Sequence, residues 1–112
     1  GPTRCEQPQR EEKGCFMKLV MIAYNEAMDS AVDRMLERAG VEGFTKWTKT
    51  YGQGRSSGPH LGTHVWPKTN NVLAVAVDEG MAEMLLDGVR NLRKDMSGQG
   101  VKAFVLPCDA VT

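Results

Sequence analysis

MKLVMIAYNEAMDSAVDRMLERAGVEGFTKWTKTY, Met17 to Tyr51, carries three patterns in succession. MKLVMIAY (Met17 to Tyr24) is mostly apolar and too brief for a helix, which suits a central strand buried on both faces. Asn25 offers a side-chain oxygen to a helix start. Met28, Val32, Met35, Leu36 and Ala39 then recur at spacings of three and four, the stripe of an amphipathic helix, and Gly40 stands where a left-handed residue ends one. FTKWTKTY (Phe44 to Tyr51) is rich in Thr and aromatics with imperfect alternation, and reads as a second strand.

The pattern repeats toward the C-terminus. NVLAVAV (Asn71 to Val77) is another buried strand, and Asp78 caps a helix whose inner face is predicted as Met81, Met84, Leu85, Val89, Leu92 and Met96. Gly88 inside that helix costs about 1 kcal/mol against Ala and suggests a site where another backbone comes close. SGQG (Ser97 to Gly100) stops the helix, and VKAFVL (Val101 to Leu106) is the last strand, ending before Pro107. The order β-α-β-β-α-β predicts an α+β, ferredoxin-like fold, an antiparallel sheet with both helices on one face. The helix-free face needs a cover, and identical subunits are the expected one.

At the N-terminus, Gly1 to Phe16 has almost no apolar content and balances Arg4, Arg10 and Lys13 against Glu6, Glu11 and Glu12. Such a stretch cannot offset its ordering entropy, so residues 1–16 are expected to be a disordered leader or tag remnant, with residues 17–112 as the domain. The whole chain of 112 residues holds 14 Lys plus Arg and 14 Asp plus Glu. That balance argues against a nucleic-acid binder, and no apolar run is long enough for direct membrane insertion or a secretory signal; a cytoplasmic protein is expected. Three cysteines make no disulfide framework, and Cys108 is the one thiol in the body of the domain.

Between the second and third strands, residues 52–70 (GQGRSSGPHLGTHVWPKTN) hold four glycines and two prolines without periodicity. A loop this long in a small domain is usually functional or disordered. Gly52, Gln53, Gly54 and Arg55 at its root, followed by Ser56 and Ser57, combine glycines that let main-chain N–H groups face an anion with a cation and hydroxyls for phosphate oxygens. A flexible hairpin connection is the plainer reading of the same residues. Gly98, Gln99 and Gly100, flanked by Lys94 and Lys102, form a second glycine turn, which alone is only a helix stop. Two such turns from adjacent chains would make an intersubunit phosphate groove. His60 and His64 are the candidate ligands for a divalent metal, although in a glycine-rich loop their spacing fixes no geometry and two ligands are too few for a structural zinc site. Trp47 and Trp66 suit either base stacking or burial at an interface, and the methionine stripes are core. No catalytic set assembles, so an enzyme is not expected.

The string GVEGFTKWTKTYGQGRSSGPH (Gly40 to His60), with MKLVMIAY before it and the closing G-x-G…FVLP, resembles the PII signal-transduction proteins. The resemblance implies a non-enzymatic homotrimer that binds an adenine nucleotide (ATP, ADP or AMP) in clefts between subunits. It further implies that a long loop, residues 52–67 here, docks on a target protein such as a membrane transporter or metabolic enzyme. Gly52, Gly54 and Arg55 match the base of the family's T-loop, and Gly98 and Gly100 with Lys102 lie where its phosphate-binding B-loop ends, Lys102 being offset by one position. Ser56 and Ser57 stand where the family has Gln-Lys, the loop is shorter and lacks its uridylylated tyrosine, and the sequence given stops at Thr112, ahead of the position of the family's basic C-terminal segment. This chain is therefore similar to divergent PII-like proteins, some of which respond to ADP, AMP, cyclic nucleotides or bicarbonate. The related CutA-type trimers of metal tolerance keep a metal-responsive role for His60 and His64 as the alternative.

Overall fold

The computed structural model describes residues 17–52, 69–96 and 99–112. Along them run β1 (Met17–Asn25), a 3-10 turn (Glu26–Met28), α1 (Asp29–Ala39), β2 (Thr45–Thr50), β3 (Asn70–Asp78), α2 (Glu79–Asp95) and β4 (Val101–Cys108). The strands form one antiparallel sheet in the order β2-β3-β1-β4. This is the ferredoxin-like arrangement that the order of sequence patterns predicts.

The local signals act as their chemistry requires. Asn25 Oδ1 accepts from Ala27 N at 2.8 Å, so it caps a 3-10 turn that leads into α1 rather than capping α1 directly. Gly40, at φ 88°, ends α1 in the left-handed region, where a side chain would be strained. Asp78 Oδ1 accepts from Met81 N at 2.8 Å and starts α2.

Val20, Ile22 and Tyr24 of β1 and Leu73 and Val75 of β3 lie under Met28 of the 3-10 turn and under the helices, which contribute Val32, Met35, Leu36, Ala82, Leu85 and Val89. Each fully buried aliphatic side chain adds about 1.5–3 kcal/mol relative to exposure. Met84 is a correction to the predicted inner face: it is 53% exposed, and Ala82 takes its place. At roughly 100° per residue Met84 stands a quarter turn from Leu85, outside the arc shared by Met81, Leu85, Val89 and Leu92. Gly88 also differs from expectation, because the close neighbour is a side chain rather than a backbone. A Cβ there would lie 2.6 Å from Met35 Sδ and 2.8 Å from its Cγ, so the missing side chain lets the two helices approach.

β4 continues through Pro107 to Cys108 instead of ending before the proline. It is an edge strand, where a residue without an N–H is tolerated on the side that has no partner. At the other edge, β2 pairs Trp47 with Val72 and then Thr50 with Asn70, so β2 carries one extra residue there. This bulge, with Lys49 at φ 57°, explains the imperfect alternation of FTKWTKTY.

The helix-free face is apolar across most of its width. The registers align Trp47, Val72 and Ala23 in one row, Ala74, Met21 and Phe104 in the next, and Ala76, Leu19 and Leu106 in a third. Trp47 is 50% exposed, Phe104 48% and Leu106 41%.

Candidate functional site

Four strand termini meet at one end of the sheet. The end of β1, the end of β2, the start of β3 and the start of β4 lie level there, as the pairs Asn25 with Asn70, Thr50 with Asn70 and Tyr24 with Val101 establish. The long loop therefore leaves and re-enters at the same end as the turn between α2 and β4. Within one chain, however, β3 and β1 stand between β2 and β4. With strands about 4.8 Å apart, the two glycine-bearing roots are separated by roughly 14 Å.

Gly52 lies at the exit of β2 against β3, and a Cβ on it would stand 2.8 Å from Asn70 Nδ2. Its lack of a side chain thus serves close packing of the loop root. Gln99 N donates to Met96 O at 3.1 Å, and Gly100 O accepts from Asn25 N at 2.9 Å, which holds the second turn to the end of β1. Lys102 is exposed at the start of β4 opposite Ala23, level with the row that contains Trp47 and Val72. Gln53, Gly54, Arg55, Gly98, His60, His64 and Trp66 lie outside the described residues. So do the leader and the candidate metal site; among the described residues no group of three or more His, Cys, Asp or Glu is placed to hold a metal.

Beside the loop root lies a polar cluster that sequence reasoning missed. Asp29 Oδ1 accepts from Tyr24 Oη at 2.7 Å, from Lys46 Nζ at 2.9 Å and from Asn71 Nδ2 at 2.9 Å. Lys46 Nζ also donates to Asp33 Oδ1 at 3.0 Å and sits 5.5 Å above the Phe44 ring. The hydrogen bond from Tyr24 holds the Asp29 carboxyl below the usual carboxylate range against the opposing effect of burial, with Lys46 and Asn71 adding to it. Burial and the bond to Asp29 push the Tyr24 hydroxyl up to about 12. Burial lowers the Lys46 ammonium's affinity for its proton, but Asp29 and Asp33 outweigh it and raise the group above the ordinary lysine range. The available signals were Asn71 heading an otherwise apolar strand and Asp29 with Asp33 one helical turn apart.

Glu26, Asp29, Thr48, Lys49, Thr69 and Asn71 line a shallow groove between the start of α1 and the loop root. The arrangement offers backbone groups and cations at the sheet end.

A family model described as nitrogen regulatory protein P-II matches residues 17–112. No curated protein matches the sequence. Among solved structures the chain is similar to CPII, a nitrogen regulatory PII-like protein from Thiomonas intermedia K12 bound to ADP, AMP and bicarbonate. That match has 21% identity and a TM-score of 0.59, and covers 86% of this chain and 96% of that one. It is also similar to apo CPII from the same organism, at 19% identity and TM-score 0.59 over 82% of this chain and 90% of that one. A protein from Thermus thermophilus described as PII-like and signalling aligns at 22% identity and TM-score 0.58, covering 82% of this chain and 86% of that one. At these identities the structural likeness speaks for the fold.

Proposed function

Because this chain belongs to the nitrogen regulatory protein P-II family, we propose that it is a homotrimeric signalling protein that binds an adenine nucleotide between subunits. Binding there changes how residues 52–67 dock on a target protein. The observation that carries this reading is the placement of the two glycine-bearing roots at one end of the sheet but on opposite edges. Roots about 14 Å apart in one chain cannot grip one phosphate group, whereas the β2 edge of one subunit beside the β4 edge of the next brings them together. The adenine nucleotides held by CPII support the choice of ligand.

In this reading Gly52, Gln53, Gly54 and Arg55 of one subunit face Gly98, Gln99, Gly100 and Lys102 of its neighbour. Backbone N–H groups at the glycines meet phosphate oxygens, and Arg55 and Lys102 supply the opposing charge. The apolar helix-free face supports the trimer, since its burial removes an aggregation hazard. A membrane transporter or metabolic enzyme is the proposed class of target.

Titration calorimetry with ATP, ADP and AMP, with and without Mg²⁺ and bicarbonate, tests the reading. One site per subunit is expected, and Arg55→Ala should weaken binding by about 1–3 kcal/mol, roughly 5- to 150-fold. No heat with any nucleotide would leave the chain with the fold and without this function.

A further inference from the structure

We propose that Glu26 and Thr69 are positioning residues that turn the junction between β1 and α1 into a brace between the two loop roots of one subunit. Successive amide groups of an extended chain point to opposite sides, and here that alternation is put to use. Asn25 N donates to Gly100 O at 2.9 Å on the β4 side, and the next amide, Glu26 N, donates to Thr69 O at 3.2 Å on the β3 side. The two donors belong to adjacent planar peptide groups hinged at Asn25 Cα, so with both bonds made the φ and ψ of Asn25 are held between the two neighbouring segments.

Side chains tighten the β3 side of the junction. Thr69 Oγ1 donates to the Glu26 carboxylate at Oε1. Thr50 Oγ1 donates to Asn70 O at 2.8 Å, and Asn70 also touches the site of Gly52. A continuous path therefore runs from Gly52 through Asn70, Thr69, Glu26 and Asn25 to Gly100. Asn25 Oδ1, bonded to Ala27 N, keeps the junction from unwinding into the helix.

The consequence is that movement of Thr69, at the re-entry of the long loop, pulls on the turn that carries Gly100. In the trimer proposed above the two roots of a subunit serve different clefts, so the brace links one cleft to the next. That consequence rests on the proposed function; the brace itself does not.

Amide hydrogen exchange followed by NMR on the full chain without ligand tests the brace alone. The Asn25 amide reports the bond to Gly100, and the Val20 amide reports the core of the same strand. In Thr69→Val and Glu26→Ala, Asn25 should exchange about tenfold or more faster than in wild type, while Val20 changes less than twofold. Thr69→Ser and Glu26→Gln, which keep a donor and an acceptor, should restore slow exchange. Asn25 exchange within twofold of wild type in Thr69→Val, or an equal acceleration at Val20, would overturn the proposal. Absence of nucleotide binding would overturn the functional reading and leave this measurement unaffected.

Discussion

Asp29 shows how much one side chain can hold. Its Oδ1 takes hydrogen bonds from β1 (Tyr24), β2 (Lys46) and β3 (Asn71), so three strands converge on the first residue of α1. Tyr24 is 1% exposed and Asn71 6%, and neither donor has water to turn to if the acceptor is removed. Asp29→Ala is expected to destabilise the fold by about 2 kcal/mol, read as a lower urea midpoint at unchanged slope, because it leaves buried donors unsatisfied. The acid and alkaline limbs follow from opposite signs. The Asp29 carboxyl is lowered in the fold, so the unfolded chain protonates first; its contribution is complete above the ordinary carboxylate range near pH 4 and is lost as pH falls below that. The Tyr24 hydroxyl is raised to about 12, so its contribution is complete below about pH 10 and is lost as pH rises from there toward 12. Stability measured against pH should fall at both ends in wild type and lose much of the acid slope in Asp29→Ala. The caps at Asn25, Gly40 and Asp78 were legible in the sequence, since each acts on backbone within a few residues. Asp29 was not, because its three partners lie 5, 17 and 42 residues away.

Within the elements, the interior glycine of α2 sets how close the helices come. An added Cβ at Gly88 would overlap Met35 Sδ and Cγ, both part of a side chain only 8% exposed. Gly88→Ala gains at most about 1 kcal/mol of helix propensity and loses about 1–3 by overpacking, so a net loss of about 1 kcal/mol is expected. In a Met35→Ala background the obstacle is gone and the same change should stabilise, a reversal of sign that a double-mutant cycle in denaturant would measure. Stabilisation by Gly88→Ala in the wild-type background would show that Met35 yields freely. Periodicity identified both helices and their stripes, yet it misassigned Met84, because a methionine near the margin of an apolar arc is not distinguished from one inside it until the neighbouring helix is placed. The strand limits moved for a similar reason: whether Pro107 can remain in β4 depends on that strand having a partner on one side only.

For the assembled subunit, the helix-free face is the feature to explain. Leu19, Met21, Ala74, Ala76, Phe104 and Leu106 form a sheet surface without charge between the two edges, with Trp47 at one corner. Met21→Asp places a carboxylate at its centre on a strand whose opposite face is untouched. Sedimentation should give a trimer for wild type and a smaller, still folded species for Met21→Asp, with unchanged far-ultraviolet circular dichroism. A monomeric wild-type chain would remove the intersubunit cleft and the function proposed for it. Phe104→Lys, at the β4 edge, should act in the same direction more weakly.

The order and kind of the elements, the caps, the long connection and the resemblance to PII proteins are all written in the amino-acid string, since they rest on periodicity and on interactions between residues close along the chain. Folding in three dimensions was needed to place the two glycine-bearing roots at one end of the sheet on opposite edges, to gather three strands on Asp29, and to join the roots through Glu26 and Thr69. The physical reason is register. Which residues of distant segments come level is set by pairing across strands through backbone groups that every residue but proline carries, so the side-chain pattern fixes which face is buried but not which distant segments lie side by side.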